Sequence, residues 1–344
     1  MMRSIKQYLH QLRLRLKPSA VILMYHRVAE LDADPQLLAV SPRNFAAHLK
    51  VLRRQRVIPL RGIGAHLQSR RVMRPAIVIT FDDGYADNFT QAAPLLQASR
   101  LPATIFVATA HLDTPREFWW DDVERLLLLP KKLPEILTLN IRGQAVTWEL
   151  GAASEYSERD VATYQTWNVL SADTPTPRHQ LYRDLHACLQ PLDSDSRQVV
   201  LHNLRQWAGL SPAGRVTHRA ATSAQIASVG KNPLIEIGAH TVNHLVLSRL
   251  PEAVQREEIL RSKAALESLT NQPITSFSYP YGSPADYSQH TLDIVRQSGF
   301  SVACANFEGR VTTYADRLQL PRYIVRNWTA EAFARQLRAW MGGQ

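Results

Sequence analysis

The amino-acid sequence predicts an α/β protein, a distorted (β/α) barrel of about seven parallel strands carrying a mainly helical insertion. Three observations lead there. Strand-sized apolar runs alternate with amphipathic helical stretches, a pattern that makes the strands parallel and the helices crossovers. The number of such strands, and the lack of a Gly-rich phosphate loop after the first, favour a closing barrel over a doubly wound sheet. The alternation then stops over residues 115–223, where Pro130, Pro134, Pro175 and Pro177 punctuate helical pieces. A structureless loop of that length is implausible inside a compact domain, so the segment reads as an insertion.

The elements follow in order. Residues 20–25 (AVILMY) form a buried strand, and Ser41 caps a helix whose apolar positions are Phe45, Leu49 and Leu52. Residues 76–81 (AIVITF) are the second strand, 88–97 a helix, and 103–108 (ATIFVA) the third strand. Inside the insertion, 120–129, 178–189 and 196–207 read as helices. The barrel resumes with strands at 234–238, 274–279, 300–305 and 322–325, and with helices at 251–269, 288–297 and 329–340. The barrel therefore comprises 18–114 and 224–344. Ahead of it, 1–17 is a basic amphipathic helix with Ile5, Tyr8, Leu9, Leu12 and Leu16 at helical spacing. It either docks on its own domain or lies on an anionic membrane surface.

Composition narrows the function classes. The 344 residues carry 40 Lys+Arg against 30 Asp+Glu, a net charge of +10, with 45% apolar and 20% charged residues. That balance excludes a disordered chain and a coiled coil. Cys188 and Cys304 are too few for a disulfide scaffold and too far apart for a metal clip, and they read as reduced thiols. No run approaches the ~20 apolar residues of a membrane span, and 1–17 lacks a secretory core. A cytoplasmic location is expected, with the inner membrane face as a variant through the basic N-terminus. Arg53, Arg54, Arg56, Arg70 and Arg71 lack interleaved aromatics, which argues against nucleic acid. Oligomeric state stays open.

Four short strings sit where a barrel keeps its chemistry, at the carboxyl ends of strands. In Thr80-Phe81-Asp82-Asp83-Gly84, adjacent carboxylates point in different directions, so one can bind a metal while the other moves protons. A solvated Asp-Asp-Gly turn is the competing reading. In His240-Thr241-Val242-Asn243-His244, two histidines at i and i+4 on one helical turn present both imidazoles to one side, an arrangement suited to a divalent ion. With one carboxylate they make three ligands and leave open positions, the mark of a catalytic site. In Ser278-Tyr279-Pro280-Tyr281-Gly282, proline fixes the chain and the next amide can face an oxyanion, or the string is an aromatic turn. In Tyr25-His26-Arg27, His26 is either structural or, beside a metal, a general acid. Phe118, Trp119 and Trp120 offer a sugar-stacking face or a hydrophobic anchor for the insertion.

TFDDG, HTVNH and SYPYG, in this order, resemble the first three motifs of the polysaccharide deacetylase family (NodB homology, carbohydrate esterase 4). LMYHRV, FWWDDVE and ACANFEG are similar to a bacterial branch associated with exopolysaccharide genes. The resemblance covers 20–110 and 223–325, and touches the insertion only at its FWWDD start. It implies Asp82 as the base that activates water, and Asp83, His240 and His244 as metal ligands. The metal it implies is usually zinc, with Co2+, Ni2+ or Mn2+ as substitutes. It also implies the Tyr281 amide as an oxyanion donor and His26 as the acid for the leaving amine. Tyr279, Pro280 and Trp119 are the expected substrate contacts. The family often has an arginine where Ser278 stands, and Arg322 is the candidate to take its place beside Asp82. The expected reaction is hydrolytic removal of N-acetyl groups from an acetylated amino sugar in a polysaccharide or its precursor. A hydrolase for a non-sugar C–N amide, and a non-catalytic carbohydrate-binding protein with a remnant site, are the alternatives.

Overall fold

A computed structural model describes residues 19–69 and 75–342 of the chain. The expected helix over 1–17 lies outside the described residues. Strand β1 (Ser19–Tyr25) is buried at all seven positions, as is each residue of β2 (Ala76–Phe81) and β3 (Ala103–Val107). Unbroken apolar runs fit strands covered on both faces. β1 and β2 pair in parallel from Ala20 opposite Ala76 to Tyr25 opposite Phe81. The crossover between them includes α1 (Pro42–Leu52), where the Ser41 hydroxyl accepts a hydrogen bond from the Asn44 amide at 3.2 Å and Phe45, Leu49 and Leu52 are buried.

The segment that breaks the alternation has its own core. It contains α2 (Trp119–Leu127), a hairpin of β4 (Ile136–Ile141) and β5 (Gln144–Glu149), α3 (Pro177–Leu189) and α4 (Ser194–Ala208). Phe118, Val123, Leu126, Leu139, Leu185 and Leu204 meet in that core. The hairpin departs from the helical expectation. In β4, Leu137, Leu139 and Ile141 are buried while Ile136, Thr138 and Asn140 are exposed. Arg142 and Gly143, at φ 55° and 82°, then supply the double left-handed bend that two-residue hairpin turns need.

The chain returns to the barrel through β6 (Ile235–Ala239), α5 (Glu252–Thr270), β7 (Ser276–Ser278), α6 (Gln289–Gln297) and β8 (Val302–Cys304). A short β9 (Val311–Thr312), β10 (Tyr323–Ile324) and α7 (Ala330–Trp340) follow. The sheet runs β8-β7-β6-β3-β2-β1-β9, with β10 also paired to β1. All these pairings are parallel except that of β1 with β9, an antiparallel edge that the sequence did not suggest. Tyr323 pairs with Leu23 of β1, and Leu320 just before it bridges Cys304 of β8. The stretch 320–324 thus draws the two sides of the sheet together and curls it into a barrel. No helix among the described residues is long and apolar enough to cross a membrane.

Candidate active site

Because the long strands run in parallel, the segments after Phe81, Ala239 and Ser278 emerge at one end of the barrel. The main chain holds them in place: the Asp82 amide donates to the Tyr25 carbonyl at 3.0 Å and the His240 amide to the Val107 carbonyl at 3.1 Å. Asp83 sits at φ 70°, Thr241 at 64°, His244 at 52° and Tyr281 at 59°. Each such non-glycine conformation costs roughly 1–3 kcal/mol, and strain of this kind collects where a side chain must be aimed. Gly84, at φ 81°, lets the Asp83 turn lie against β3, since a Cβ there would stand 2.9 Å from Val107 Cγ1.

His240-Thr241-Val242-Asn243-His244 is not a helical turn, contrary to the expectation from its spacing. The positive φ angles of Thr241 and His244 exclude one, and the string forms a bent loop instead. Its buckle is Glu258 of α5, whose Oε2 accepts from the Val242 amide (3.0 Å) and the Asn243 amide (2.8 Å). Inside the loop, Thr241 Oγ1 accepts from the His244 amide at 3.1 Å. The two imidazoles still converge. His240 Nε2 is 3.6 Å and His244 Nε2 3.4 Å from the same Asp83 oxygen, Oδ1.

These three residues fit a divalent metal. Their ligand atoms lie within 4.8 Å of one another, and all three side chains are buried. His240 Nδ1 is 2.7 Å from the Ser278 carbonyl oxygen. A carbonyl only accepts, so Nδ1 carries the hydrogen and Nε2 turns its lone pair to the site, as a metal-ligating histidine requires. The electrostatics ask for a cation. Burial pushes the Asp83 carboxyl up, yet the neighbouring His240, His244 and His26 outweigh it and bring it below its usual range. Burial and the neighbouring His240 drive His244 down to about 3, so it presents a neutral ring.

Asp82 faces a different partner. Arg322 grips it with both arms, Nη1 to Oδ1 and Nη2 to Oδ2, each at 2.7 Å, and its guanidinium is almost wholly buried. Burial raises the affinity of Asp82 for a proton, but the Arg322 charge, then His240, outweigh it and hold the carboxyl well below its usual range. Ser278 completes the cluster: its hydroxyl accepts from Arg322 Nη2 at 2.9 Å and lies 3.2 Å from Asp82 Oδ2. A small residue at 278 leaves room for the guanidinium arriving from beyond β8.

A cleft of about 290 Å³ opens over these groups, lined by His26, Asp82, Asp83, His240, His244, Trp119 and Tyr281. His26 lines the same cleft as both carboxylates; burial lowers its proton affinity while Asp83 and Asp82 oppose the drop. The turn bearing Tyr281 is tied down by Asn306, whose Nδ2 donates to the Tyr281 carbonyl at 2.9 Å. Trp119 reaches the cleft but is only 5% exposed, packed against Trp120 and His186. Tyr279 and Pro280 do not line the cleft, which corrects their reading as substrate contacts. Tyr279 turns to the opposite face of the sheet from Ser278, into the layer between strands and helices, where it stacks on Tyr287 at 4.3 Å and donates to the Leu318 carbonyl at 2.9 Å. Its neighbour Ser278 is committed to Arg322, and the direction of a side chain leaving a strand end cannot be set from composition.

Sequence reasoning passed over other cleft residues: Gln36, His186, Gln190, Asn306 and Arg326. Asn306 and Arg326 follow β8 and β10 at their carboxyl ends, and the strand-end rule used for the other motifs would have reached them. His186 and Gln190, from α3 and its C-terminal end, bring the insertion into the cleft wall, and no local signal marks them.

Fold and site together define a (β/α)-barrel protein whose strand-end loops gather a His-His-Asp donor set next to an arginine-locked carboxylate. A family model described as polysaccharide deacetylase matches residues 69–138 and 199–303, just over half of the chain, and the chain belongs to that family. YxkH of Bacillus subtilis (strain 168), named for the same family, is 35% identical over 95 residues, which cover 26% of this chain and 33% of the relative. The poly-beta-1,6-N-acetyl-D-glucosamine N-deacetylase of Escherichia coli (strain K12) is 29% identical over 100 residues, 28% of this chain and 15% of the relative. The matched region thus spans a third or less of these curated relatives. Among solved structures, the Streptococcus pyogenes deacetylase PplD in complex with acetate superposes with a TM-score of 0.56 at 18% identity, covering 94% of this chain and 98% of that one. IcaB from Ammonifex degensii gives 0.55 at 18% identity, over 94% and 99%. These structures share the fold.

Proposed function

We propose that the chain is a metal-dependent N-deacetylase that hydrolyses the acetamide of an amino sugar in a polysaccharide or its precursor. The observation that carries this reading is the convergence of Asp83, His240 and His244 on one point, next to Asp82 held ionised by Arg322. A divalent ion, zinc by preference and Co2+, Ni2+ or Mn2+ as substitutes, supplies Lewis acidity toward an amide carbonyl and a water molecule. Asp83, His240 and His244 would hold it. Asp82 is the base: Arg322 keeps it charged and oriented, and a lone pair not used by Arg322 can take the proton of the attacking water. The Tyr281 amide, on its left-handed turn, donates to the carbonyl oxygen as negative charge develops there. His26 delivers a proton to the departing nitrogen, because an amide anion is too basic to leave unprotonated. Burial lowers its affinity for that proton, which favours giving it up. Trp119 offers the sugar an apolar edge.

The test is acetate release from N-acetylhexosamine oligomers. Asp82→Asn is expected to lower the rate by about 10²–10⁴-fold, the usual contribution of a general base, while the bound metal is retained. Full activity in that variant overturns the assignment. Turnover of small non-sugar amides without any acetate from sugar substrates would move the substrate class instead.

A further inference from the structure

At the base of the insertion, away from the Asp83 donor set, a second group of ligands faces inward. α2 places Asp121 and Glu124 at i and i+3 on its buried side, and the returning chain, in the short helical turn Val216–His218, sets His218 against them. One ligand atom from each lies within 4.8 Å of the others. Asp121, Glu124 and His218 are only 5%, 4% and 4% exposed.

One surrounding cation, Arg215, reaches the group through Glu124, and the others pair elsewhere. Arg215 forks onto Glu117, sending one arm to Glu124 Oε1 at 2.8 Å. Arg125 and Arg205 both hold Asp122 at 2.6 Å, and Arg27 pairs with Asp87 at 3.0 Å. Asp121 accepts from the Tyr85 hydroxyl at 2.7 Å, a neutral donor for a buried carboxylate. His218 supplies the independent observation. Its Nδ1 lies 2.9 Å from Thr217 Oγ1, whereas its Nε2 is buried without a hydrogen-bond partner among the described residues. A buried imidazole nitrogen left unpaired beside two carboxylates is costly unless something else fills the gap.

We propose that Asp121, Glu124 and His218 bind a second divalent ion of the zinc class, which fastens the outgoing and returning ends of the insertion to each other. One imidazole and two carboxylates suit Zn2+, Co2+ or Mn2+; the imidazole disfavours Ca2+ and Mg2+. The site bears on the cleft through a short chain of contacts. Trp120 Nε1 donates to the Tyr85 hydroxyl at 2.6 Å, Tyr85 donates to Asp121, and the Trp120 ring lies 5.0 Å from that of His244. A fixed Asp121 therefore fixes the aromatic wall over the catalytic centre.

Zinc stoichiometry tests this without reference to activity. Protein stripped with chelator, reloaded with Zn2+ and dialysed is expected to hold two equivalents. The His240→Ala/His244→Ala variant is expected to keep one, and adding His218→Gln to remove it. Asp121→Asn and Glu124→Gln on the same background are independent checks, with circular dichroism reporting the fold of each. A His240→Ala/His244→Ala protein that is folded and holds no zinc overturns the proposal, and so does an equivalent that survives all three further substitutions. The two readings fail separately. A wild type that holds a single equivalent, lost with His240 and His244, leaves the deacetylase site standing and ends this one. A wild type that holds a single equivalent, unaffected by His240→Ala/His244→Ala and lost with His218→Gln, does the reverse.

Discussion

At Asp82, burial and charge oppose each other, and Arg322 decides the result. The buried guanidinium meets both carboxylate oxygens at 2.7 Å. Removing one partner of such a pair strands the other charge, which costs about 3–5 kcal/mol. Arg322→Ala should therefore destabilise the protein by that order and abolish most acetate release. Ser278 adjoins the same guanidinium, so an arginine introduced at 278 can approach Asp82 from β7. Ser278→Arg alone should destabilise the fold, because two guanidinium groups would compete for one buried space, and in the Arg322→Ala background it should recover stability. Chemical denaturation of the four proteins gives the comparison; equal losses in the single and double variants would show that the two positions do not share one space. The Asp-Asp and His-His strings were legible because each is a compact word at a strand end. Arg322 was legible only as a replacement for what Ser278 lacks. Tyr279 was misread because its string says nothing of which way the ring leaves the strand.

Loops carry the chemistry here, and helices hold the loops. Glu258 is the instance with the most direct consequence: from α5 it accepts two backbone amides of the loop between His240 and His244, and its Oε1 accepts from Asn243 Nδ2 at 2.6 Å. A carboxylate receiving three donors is a charge-assisted clamp. Glu258→Gln removes the charge and one acceptor while keeping the shape. The loop should then relax and His244 lose its aim, lowering metal affinity by about 10–100-fold, the usual penalty for losing support behind a ligand. Calorimetric titration of the stripped protein with Zn2+ measures this, and unchanged affinity with an intact fold would sink the argument. The loop was expected as a helical turn because i and i+4 spacing fits one; the clamp that prevents it comes from a glutamate 14 residues beyond His244. The β4–β5 hairpin escaped for a different reason. Its alternating residues and Arg-Gly turn are a proper strand signal, but they sit between helical stretches that dominate the segment's composition.

For the molecule as a whole, the parallel strand order was legible because buried parallel strands are written as continuous apolar words. The curl was not, since it depends on one short contact between Leu320 and Cys304 and on two residues of β10. Packing that tight also sets how the folded chain meets acid. His48 is fully buried, stacked on Phe333 at 4.1 Å, with Nε2 2.8 Å from the Trp328 carbonyl oxygen. Burial lowers its pKa to about 4, and His111 and His179 are likewise brought down to about 4. A histidine whose folded value is depressed leaves the unfolded chain binding more protons, so the stability present above about pH 6.5 is lost as pH falls toward 4. Asp34, Asp87, Glu124 and Glu236 act with the opposite sign, because burial raises each above its unfolded value and the folded state takes up the proton first. The overall pH curve mixes the two, so the informative quantity is a difference. Subtracting the stability of His48→Gln from that of the wild type, both in chelator to remove metal linkage, isolates one proton. The wild-type advantage should shrink by about 1.4 kcal/mol per pH unit between roughly pH 6 and 4.5. A difference that stays flat across that range would mean His48 is charged inside the folded protein, which its packing against Phe333 and its neutral partners, the Trp328 carbonyl and the Tyr25 hydroxyl, do not accommodate.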